Sequence, residues 1–168
     1  MKVGFIGLGN VGGKLAGSLL RNGVDLMVHD LDASRLADFA ARGAGVADSP
    51  AAMMRRADAV ITCLPSPAAS AAVVEGSAGL LEGMSAGKYW LEMSTTDADE
   101  VKRLAALVEA RGGRAADVPV SGGVHRAATG HGWWRSRSLP IEGDASDVAG
   151  RPRRAAADFD PDRHGIRG

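Results

Sequence analysis

The first twelve residues, MKVGFIGLGNVG, constrain this chain more than any other segment. The apolar run from Val3 to Ile6 predicts a short buried strand. The motif G-x-G-x-x-G follows it directly, at Gly7, Gly9 and Gly12. The first glycine permits a tight turn, the second lets the backbone approach a pyrophosphate, and the third lets a helix pack closely on the sheet. The segment therefore predicts a dinucleotide-binding loop between a strand and a helix.

A carboxylate lies at the position, after the second predicted strand, where a dinucleotide-binding fold typically has one. Asp30 follows a second predicted strand, Asp25 to His29, and there it can accept hydrogen bonds from the adenosine ribose hydroxyls. The loop residues Leu8, Asn10 and Val11 complete the predicted cofactor-binding segment, because N–H groups at a helix N-terminus face the phosphates. The coincidence of strand, turn, helix and distal carboxylate favours this interpretation over a turn that merely needs glycine.

Composition excludes several classes of function. Lys plus Arg and Asp plus Glu number 20 each, which leaves no general electrostatic attraction to nucleic acid or to a membrane surface. Cys63 is the single cysteine and lies in an apolar run, so we interpret it as a core thiol in a reducing compartment, the cytoplasm by default. No metal site is predicted, because His125, His131 and His164 have no metal-ligand spacing.

Predicted strands and helices alternate along the chain. Further strands are predicted over Asp58 to Leu64, Tyr89 to Met93 and Arg114 to Val120. Helix starts are predicted at Asp32, Ser49-Pro50, Ser66-Pro67 and Asp97 with Glu100, because each offers capping chemistry. This order predicts an α/β fold, a doubly wound, mostly parallel sheet of the Rossmann type that binds ligands at the carboxyl ends of its strands.

Four ordered segments resemble the β-hydroxyacid dehydrogenase family, which includes 3-hydroxyisobutyrate dehydrogenase and 6-phosphogluconate dehydrogenase. They are GFIGLGNVGGKLAGSLL, with Val11 where methionine is usual, ADAVITCLPSPAA, MSTTDADEVKRLA and DVPVSGGVHRAATG. The resemblance covers residues 1–130, which we expect to form the dinucleotide-binding domain. Residues 131–168 diverge from the family and are rich in Arg, Gly and Pro, so we expect a poorly ordered tail in place of the family's C-terminal helical domain.

The resemblance implies roles for further residues. Leu64 and Pro65 would line the adenosine and nicotinamide side, and Thr95 would contact the nicotinamide ribose or carboxamide. The substrate carboxylate would be held by Ser121, Gly122 and Gly123. Two alternatives stay open: a helix-entry turn at Thr95, and an ordinary loop at the SGG segment.

The segment Asp30-Leu31-Asp32 favours NAD over NADP, because its carboxylates would repel a 2′-phosphate. Relatives that use NADP typically carry an arginine just after this strand. Arg35 lies one helical turn further on and could soften the preference.

The resemblance implies hydride transfer between nicotinamide and a small 3-hydroxy acid, with a lysine as general acid/base. The lysines of this chain, at positions 2, 14, 88 and 102, do not match that residue, and no catalytic residue is identified. We therefore expect the nucleotide-binding part of a dehydrogenase, inactive or nearly so alone, whose ending is truncated or out of frame.

Three alternatives stay open. The chain could be a non-catalytic dinucleotide-binding module or, with less support, a Rossmann-like methyltransferase. Trp133-Trp134 beside Arg135 would suit nucleic-acid stacking, although one aromatic pair is a weak signal. The particular hydroxy acid and the oligomeric state do not follow from the sequence.

Overall fold

The computed structural model describes residues 1–121 and 133–134. The strands in this part are β1 (Lys2–Ile6), β2 (Asp25–His29), β3 (Gly45–Val46), β4 (Ala59–Thr62), β5 (Tyr89–Glu92), β6 (Arg114–Asp117), β7 (Val120–Ser121) and β8 (Trp133–Trp134). The helices are α1 (Gly12–Arg21), α2 (Ala33–Ala41), α3 (Pro50–Arg56), α4 (Pro67–Glu75), α5 (Leu80–Gly83) and α6 (Ala98–Glu109).

Six parallel strands form the main sheet, in the order β3-β2-β1-β4-β5-β6. The chain runs outward from β1 to β3, returns to the other side of β1, and then runs outward again to β6. The order reverses between β1 and β4, and a crevice forms at such a reversal beyond the carboxyl ends of the strands. The predicted doubly wound α/β sheet is confirmed.

Successive strand residues point to opposite faces of the sheet, and each face has its own core. Phe5 of β1 packs in one cluster with residues of α1 and α2, including Ala16 and Phe39. Ile6, the next residue, packs in the other cluster with residues of α3 to α6. Helices therefore cover both faces, as a parallel sheet requires.

Capping side chains begin four of the helices, as the sequence predicts. Ser49 and Ser66 each accept a hydrogen bond from the backbone N–H three residues later, and a proline follows each serine. Asp32 caps α2 by accepting from the N–H of Ser34, two residues later, and Asp97 caps α6 by accepting from the N–H groups of Asp99 and Glu100. Glu100 does not complete the predicted capping box with Asp97, because its carboxylate pairs with Arg103.

Several boundaries differ from the sequence prediction. The strand predicted to reach Leu64 ends at Thr62, and the strand predicted to reach Val120 ends at Asp117. The short elements β3 and α5 were not predicted. Strand β7 pairs antiparallel with β8, which places Ser121 opposite Trp133. The remainder of the predicted tail lies outside the described residues.

Candidate dinucleotide-binding site

The glycine loop joins β1 to α1 at the reversal of strand order. Gly7 has φ of +94°, and a Cβ there would overlap the carbonyl oxygen of Cys63, which follows β4. A Cβ on Gly12 would overlap the carbonyl oxygen of Gly7. Two of the three motif glycines are therefore required by the turn and by the close approach of β1, β4 and α1.

Gly9 differs from the other two because the space beside it is open. The only heavy atom among the described residues within 4 Å of its ideal Cβ is Nη1 of Arg35, at 4.0 Å. No hydrogen bond within the part of the chain that the structure describes uses the backbone N–H groups of Gly9, Asn10 or Val11. Open space and unpaired N–H groups at a helix N-terminus together form a cradle for an anion.

Asp30 follows β2, and its carboxylate is tied to the loop itself. Its Oδ2 accepts a hydrogen bond from the Leu8 N–H at 2.6 Å, and its Oδ1 accepts one from the Asp32 N–H at 2.9 Å. The side chain is 10% exposed. A carboxylate oxygen has two lone pairs, so each can still accept a hydrogen bond from a ribose hydroxyl. Asp30 thus fixes the loop while it faces the site.

Arg35 places a positive charge beside these carboxylates. Its Nη1 lies 3.7 Å from Oδ1 of Asp30, and its Nε lies 3.3 Å from Oδ2 of Asp32. The hydrogen bonds from Ser34 and the charge of Arg35 hold the pKa of Asp32 below its ordinary value. The negative charge after β2 is therefore partly balanced from α2.

A groove of about 430 Å³ opens between the start of α1 and the exposed face of α2. Arg42 on its α2 side pairs with Asp38 and lies over the ring of Phe39. Lys14 on the α1 side is exposed. The groove is lined by Leu8, Gly9, Asn10, Gly13, Lys14, Ser34, Arg35, Asp38, Phe39 and Arg42. It continues the anion cradle along a surface that carries three basic side chains and the acidic Asp38.

Leu64, Pro65 and Thr95 lie after β4 and β5, on the other side of the glycine loop. The Leu64 N–H donates to Oγ of Ser94 at 2.7 Å, which joins the two loops. Pro65 and Thr95 are exposed, whereas Ser94 is buried. The hydroxyl of Thr96 is buried and has no hydrogen-bond partner in the described part of the chain. The structure thus brings together the three predicted residues beside the glycine loop.

Glu92, at the end of β5, is a site residue that the sequence reasoning missed. Its side chain is fully buried, and it accepts hydrogen bonds from the Ser70 hydroxyl of α4 and from the N–H and hydroxyl of Ser94. A glutamate between tryptophan, leucine and methionine gives no signal of this role. Its burial depends on Ser70, which is distant in the sequence.

Cys63 lies between β4 and Leu64, against the turn at Gly7. Burial raises the pKa of its thiol to about 11, and the charge of Glu92 acts in the same direction. The thiol is therefore protonated at neutral pH, as expected of a core thiol and not of a nucleophile.

Of the three residues predicted to bind the substrate carboxylate, only Ser121 is among the described residues. Ser121 lies in β7, while Gly122 and Gly123 lie outside the described residues, as do His125, His131 and His164. Within the residues that the structure describes, no three His, Cys, Asp or Glu side chains form a metal-binding group. None of the helices described is long and apolar enough to cross a membrane.

Three of the four lysines are engaged in structural contacts. Lys2 pairs with Asp25, and Lys102 pairs with Asp99. The Lys88 ammonium donates to the carbonyl oxygens of Arg55 and Ala57, where α3 ends.

The site fits a dinucleotide on observations of this structure alone. The open side of Gly9 admits a pyrophosphate, the unpaired N–H groups of the loop can bind it, and Asp30 faces the site beside Leu31, which is fully exposed. Thr95 is exposed at the next strand ends. A ligand that spans the sheet reversal could touch all of these residues.

Comparison with known proteins agrees with this geometry. The family profile of the NAD binding domain of 6-phosphogluconate dehydrogenase matches residues 2–132. The mitochondrial 3-hydroxyisobutyrate dehydrogenase of Rattus norvegicus is 40% identical over 129 residues, which are 77% of this chain and 38% of the rat protein.

Two solved structures extend the comparison. The 3-hydroxyisobutyrate dehydrogenase of Salmonella typhimurium superposes with a TM-score of 0.75 at 30% identity, covering 81% of this chain and 47% of that one. Psf3 in complex with NADP+ and 2-OPP superposes with a TM-score of 0.72 at 29% identity, covering 76% and 45%. The chain thus spans less than half the length of these proteins. It belongs to the 6-phosphogluconate dehydrogenase-like family, and the matched residues form the NAD(P)-binding domain of 3-hydroxyisobutyrate dehydrogenase-like oxidoreductases.

Proposed function

We propose that this chain binds NAD in preference to NADP and forms the nucleotide-binding part of a dehydrogenase that oxidises a 3-hydroxy acid. The observation that carries the proposal is the cradle at Gly9, where open space meets unpaired N–H groups beside the Asp30 carboxylate. When bound, the nicotinamide accepts or donates the hydride. The residues of this chain hold the pyrophosphate, the adenosine ribose and the nicotinamide ribose.

The described residues supply no general acid or base for the hydroxy acid. Three lysines are engaged away from the site, and Lys14 lies on the α1 side of the groove. We therefore propose that the chain alone binds the cofactor and is inactive or nearly so as a dehydrogenase, because general acid/base help is worth about 10²–10⁴-fold in rate. The segment Ser121 to Gly123 would take the substrate carboxylate. Cys63, protonated and partly buried, suits a reducing compartment such as the cytoplasm.

The preference for NAD should be moderate. The carboxylates of Asp30 and Asp32 oppose a 2′-phosphate, but Arg35 lies within 4 Å of both and balances part of their charge. Its side chain is 45% exposed, so it could turn toward an added phosphate at little cost. NADP should therefore bind more weakly than NAD without being excluded.

Calorimetric titration with NADH and with NADPH tests the proposal. The chain should bind NADH more tightly, and Arg35→Ala should widen the difference by lowering NADPH affinity several times more than NADH affinity. Arg111→Ala, which removes the same charge from an exposed position after α6, is the matched control and should leave the ratio unchanged. Absence of binding by both cofactors would refute the proposed function, and tighter binding of NADPH would refute the preference.

A further inference from the structure

The Glu92 carboxylate is enclosed by donors from two other parts of the chain. Oε2 accepts a hydrogen bond from Oγ of Ser70 at 2.8 Å. Oε1 accepts hydrogen bonds from the N–H of Ser94 at 2.9 Å and from its hydroxyl. The side chain is 0% exposed, and no lysine or arginine forms an ion pair with it within the described residues.

A buried carboxylate at this position is not expected to stabilise the fold more than an apolar side chain would. Burial of a carboxylate is costly unless hydrogen bonds compensate it, and an apolar side chain would fill the same space without that cost. Glu92 stands at the last position of β5, immediately before the loop that carries Thr95. A buried polar group at this place therefore suggests a demand for fixed geometry at the carboxyl edge of the sheet.

Ser94 links the loop after β5 to the loop after β4 by hydrogen bonds. Its hydroxyl donates to Glu92, and its oxygen accepts the N–H of Leu64 at 2.7 Å. The loop after β4 is thereby held at a set distance from the loop after β5. Pro65 follows the first anchor point directly, and Thr95 follows the second.

We propose that Glu92 and Ser94 are positioning residues that hold the loops after β4 and β5 in the spacing required to grip the nicotinamide end of the cofactor. The inference rests on the proposed function, and it assigns a role to two residues that are themselves buried away from the ligand. Ser70 completes the enclosure of the carboxylate from α4, but it does not link the loops.

The two serines form a matched pair for a test. Ser70→Ala and Ser94→Ala each remove one hydroxyl that donates to the same carboxylate, so both should lower the melting temperature. Only Ser94→Ala also releases Leu64. Each variant is titrated with NADH and with ADP, which contains the adenosine and pyrophosphate parts of the cofactor but neither the nicotinamide nor its ribose.

Ser94→Ala should weaken NADH binding about tenfold, the effect of one lost hydrogen-bonded link, and should leave ADP affinity within about twofold. Ser70→Ala should leave both affinities within about twofold. The conservative variant Ser94→Thr retains the hydroxyl and should restore the affinity for NADH. If Ser94→Ala does not fold, Glu92→Met is read in the same two titrations, with the same selective loss expected because Ser94 then lacks the carboxylate that anchors it to β5.

An unchanged NADH affinity in Ser94→Ala, or an equal loss of NADH and ADP binding, would overturn the positioning role. Equal losses in the Ser70 and Ser94 variants would do the same, because they would show a purely structural network. A wild-type chain that binds neither ligand overturns the proposed function and this inference with it. Equal wild-type binding of NADH and ADP contradicts only the inference, because the cofactor site would then exist without contacts to the nicotinamide end.

Discussion

At the scale of single residues, glycine is needed at the three positions of the loop for different physical reasons. Gly7 and Gly12 are enclosed by carbonyl oxygens of neighbouring backbone, and Gly7 also has a positive φ. Gly9 has neither constraint, since outside its chain neighbours the only described atom near its ideal Cβ is Nη1 of the flexible Arg35 side chain, at 4.0 Å. A glycine that the folded chain alone does not need indicates a ligand that approaches its backbone.

Alanine substitutions distinguish a glycine needed for stability from a glycine needed for cofactor binding. Gly9→Ala should change the free energy of unfolding by less than about 0.5 kcal/mol, as surface substitutions usually do, and should weaken NADH binding at least tenfold. Gly12→Ala should destabilise the chain by about 1–3 kcal/mol or more, because its Cβ would overlap backbone that cannot move freely. Urea unfolding and calorimetric titration measure the two effects. Unweakened NADH binding by Gly9→Ala would place the pyrophosphate elsewhere.

The thiol of Cys63 provides a pH-dependent test of the packing beneath the loop. Its pKa is raised from 9.0 to about 11 in the folded chain, chiefly by burial and secondly by the charge of Glu92. Between these values the unfolded thiol ionises and the folded thiol does not. The stabilising contribution is therefore complete below pH 9, and is lost as the pH rises through about 11.

Alkylation by iodoacetamide at pH 9 should be about tenfold or more slower in the native chain than in urea, because the thiolate is the reactive form. Mass spectrometry gives the rate directly, since the chain has one cysteine. Cys63→Ser, which should not be labelled, confirms the assignment. Equal rates in native and unfolded protein would show that the thiol is neither buried nor shielded.

At the scale of elements, α6 shows which contacts hold the helices on the sheet. Arg103 on its outer face donates to Glu75 of α4 and to Glu100, and these hydrogen bonds lower the pKa of both glutamates. All three side chains are partly exposed to water. Leu104, the next residue, is fully buried in the core cluster. The free energy that holds this helix on the sheet should therefore come mainly from burial of apolar side chains and not from the ion pairs.

Leu104→Ala should therefore cost about 2–5 kcal/mol in urea unfolding, through lost burial and the cavity that remains. Arg103→Ala should cost far less, and 1 M salt should abolish most of that loss, because exposed ion pairs are screened. A larger loss of unfolding free energy in Arg103→Ala than in Leu104→Ala would contradict the conclusion that burial contributes more than the ion pairs.

The elements also show how far sequence reasoning extends. Strand β2 was predicted with its observed bounds, since an apolar run lies between clear turn signals. The two-residue strand β3 is too short to show a period, and Gly79 starts α5 without a side-chain cap. The Glu92 enclosure was missed because it depends on Ser70, a contact that no local pattern encodes. Local chemistry thus predicted the elements, and long-range contacts decided the site's interior.

At the scale of the whole molecule, the reversal of strand order places the residues of the candidate site together at the carboxyl ends of the strands. The loops after β1, β2, β4 and β5 meet there, although their residues are far apart in the sequence. The opposite edge carries different chemistry: Lys2 pairs with Asp25, and its N–H donates to Asp58 at 2.7 Å. The molecule therefore has one end of the sheet suited to an anion-bearing ligand, and at the other end an ion pair and a hydrogen bond of its own.

The location of this site can be tested by following backbone amide resonances of the ¹⁵N-labelled chain during titration with NADH. Resonances of the loop from Leu8 to Gly13, and of Leu64 and Thr95, should shift together and saturate, whereas those of Lys2 and Asp25 at the opposite edge should stay in place. Saturating shifts confined to the opposite edge, or no shifts at all, would contradict a dinucleotide site at the reversal of strand order.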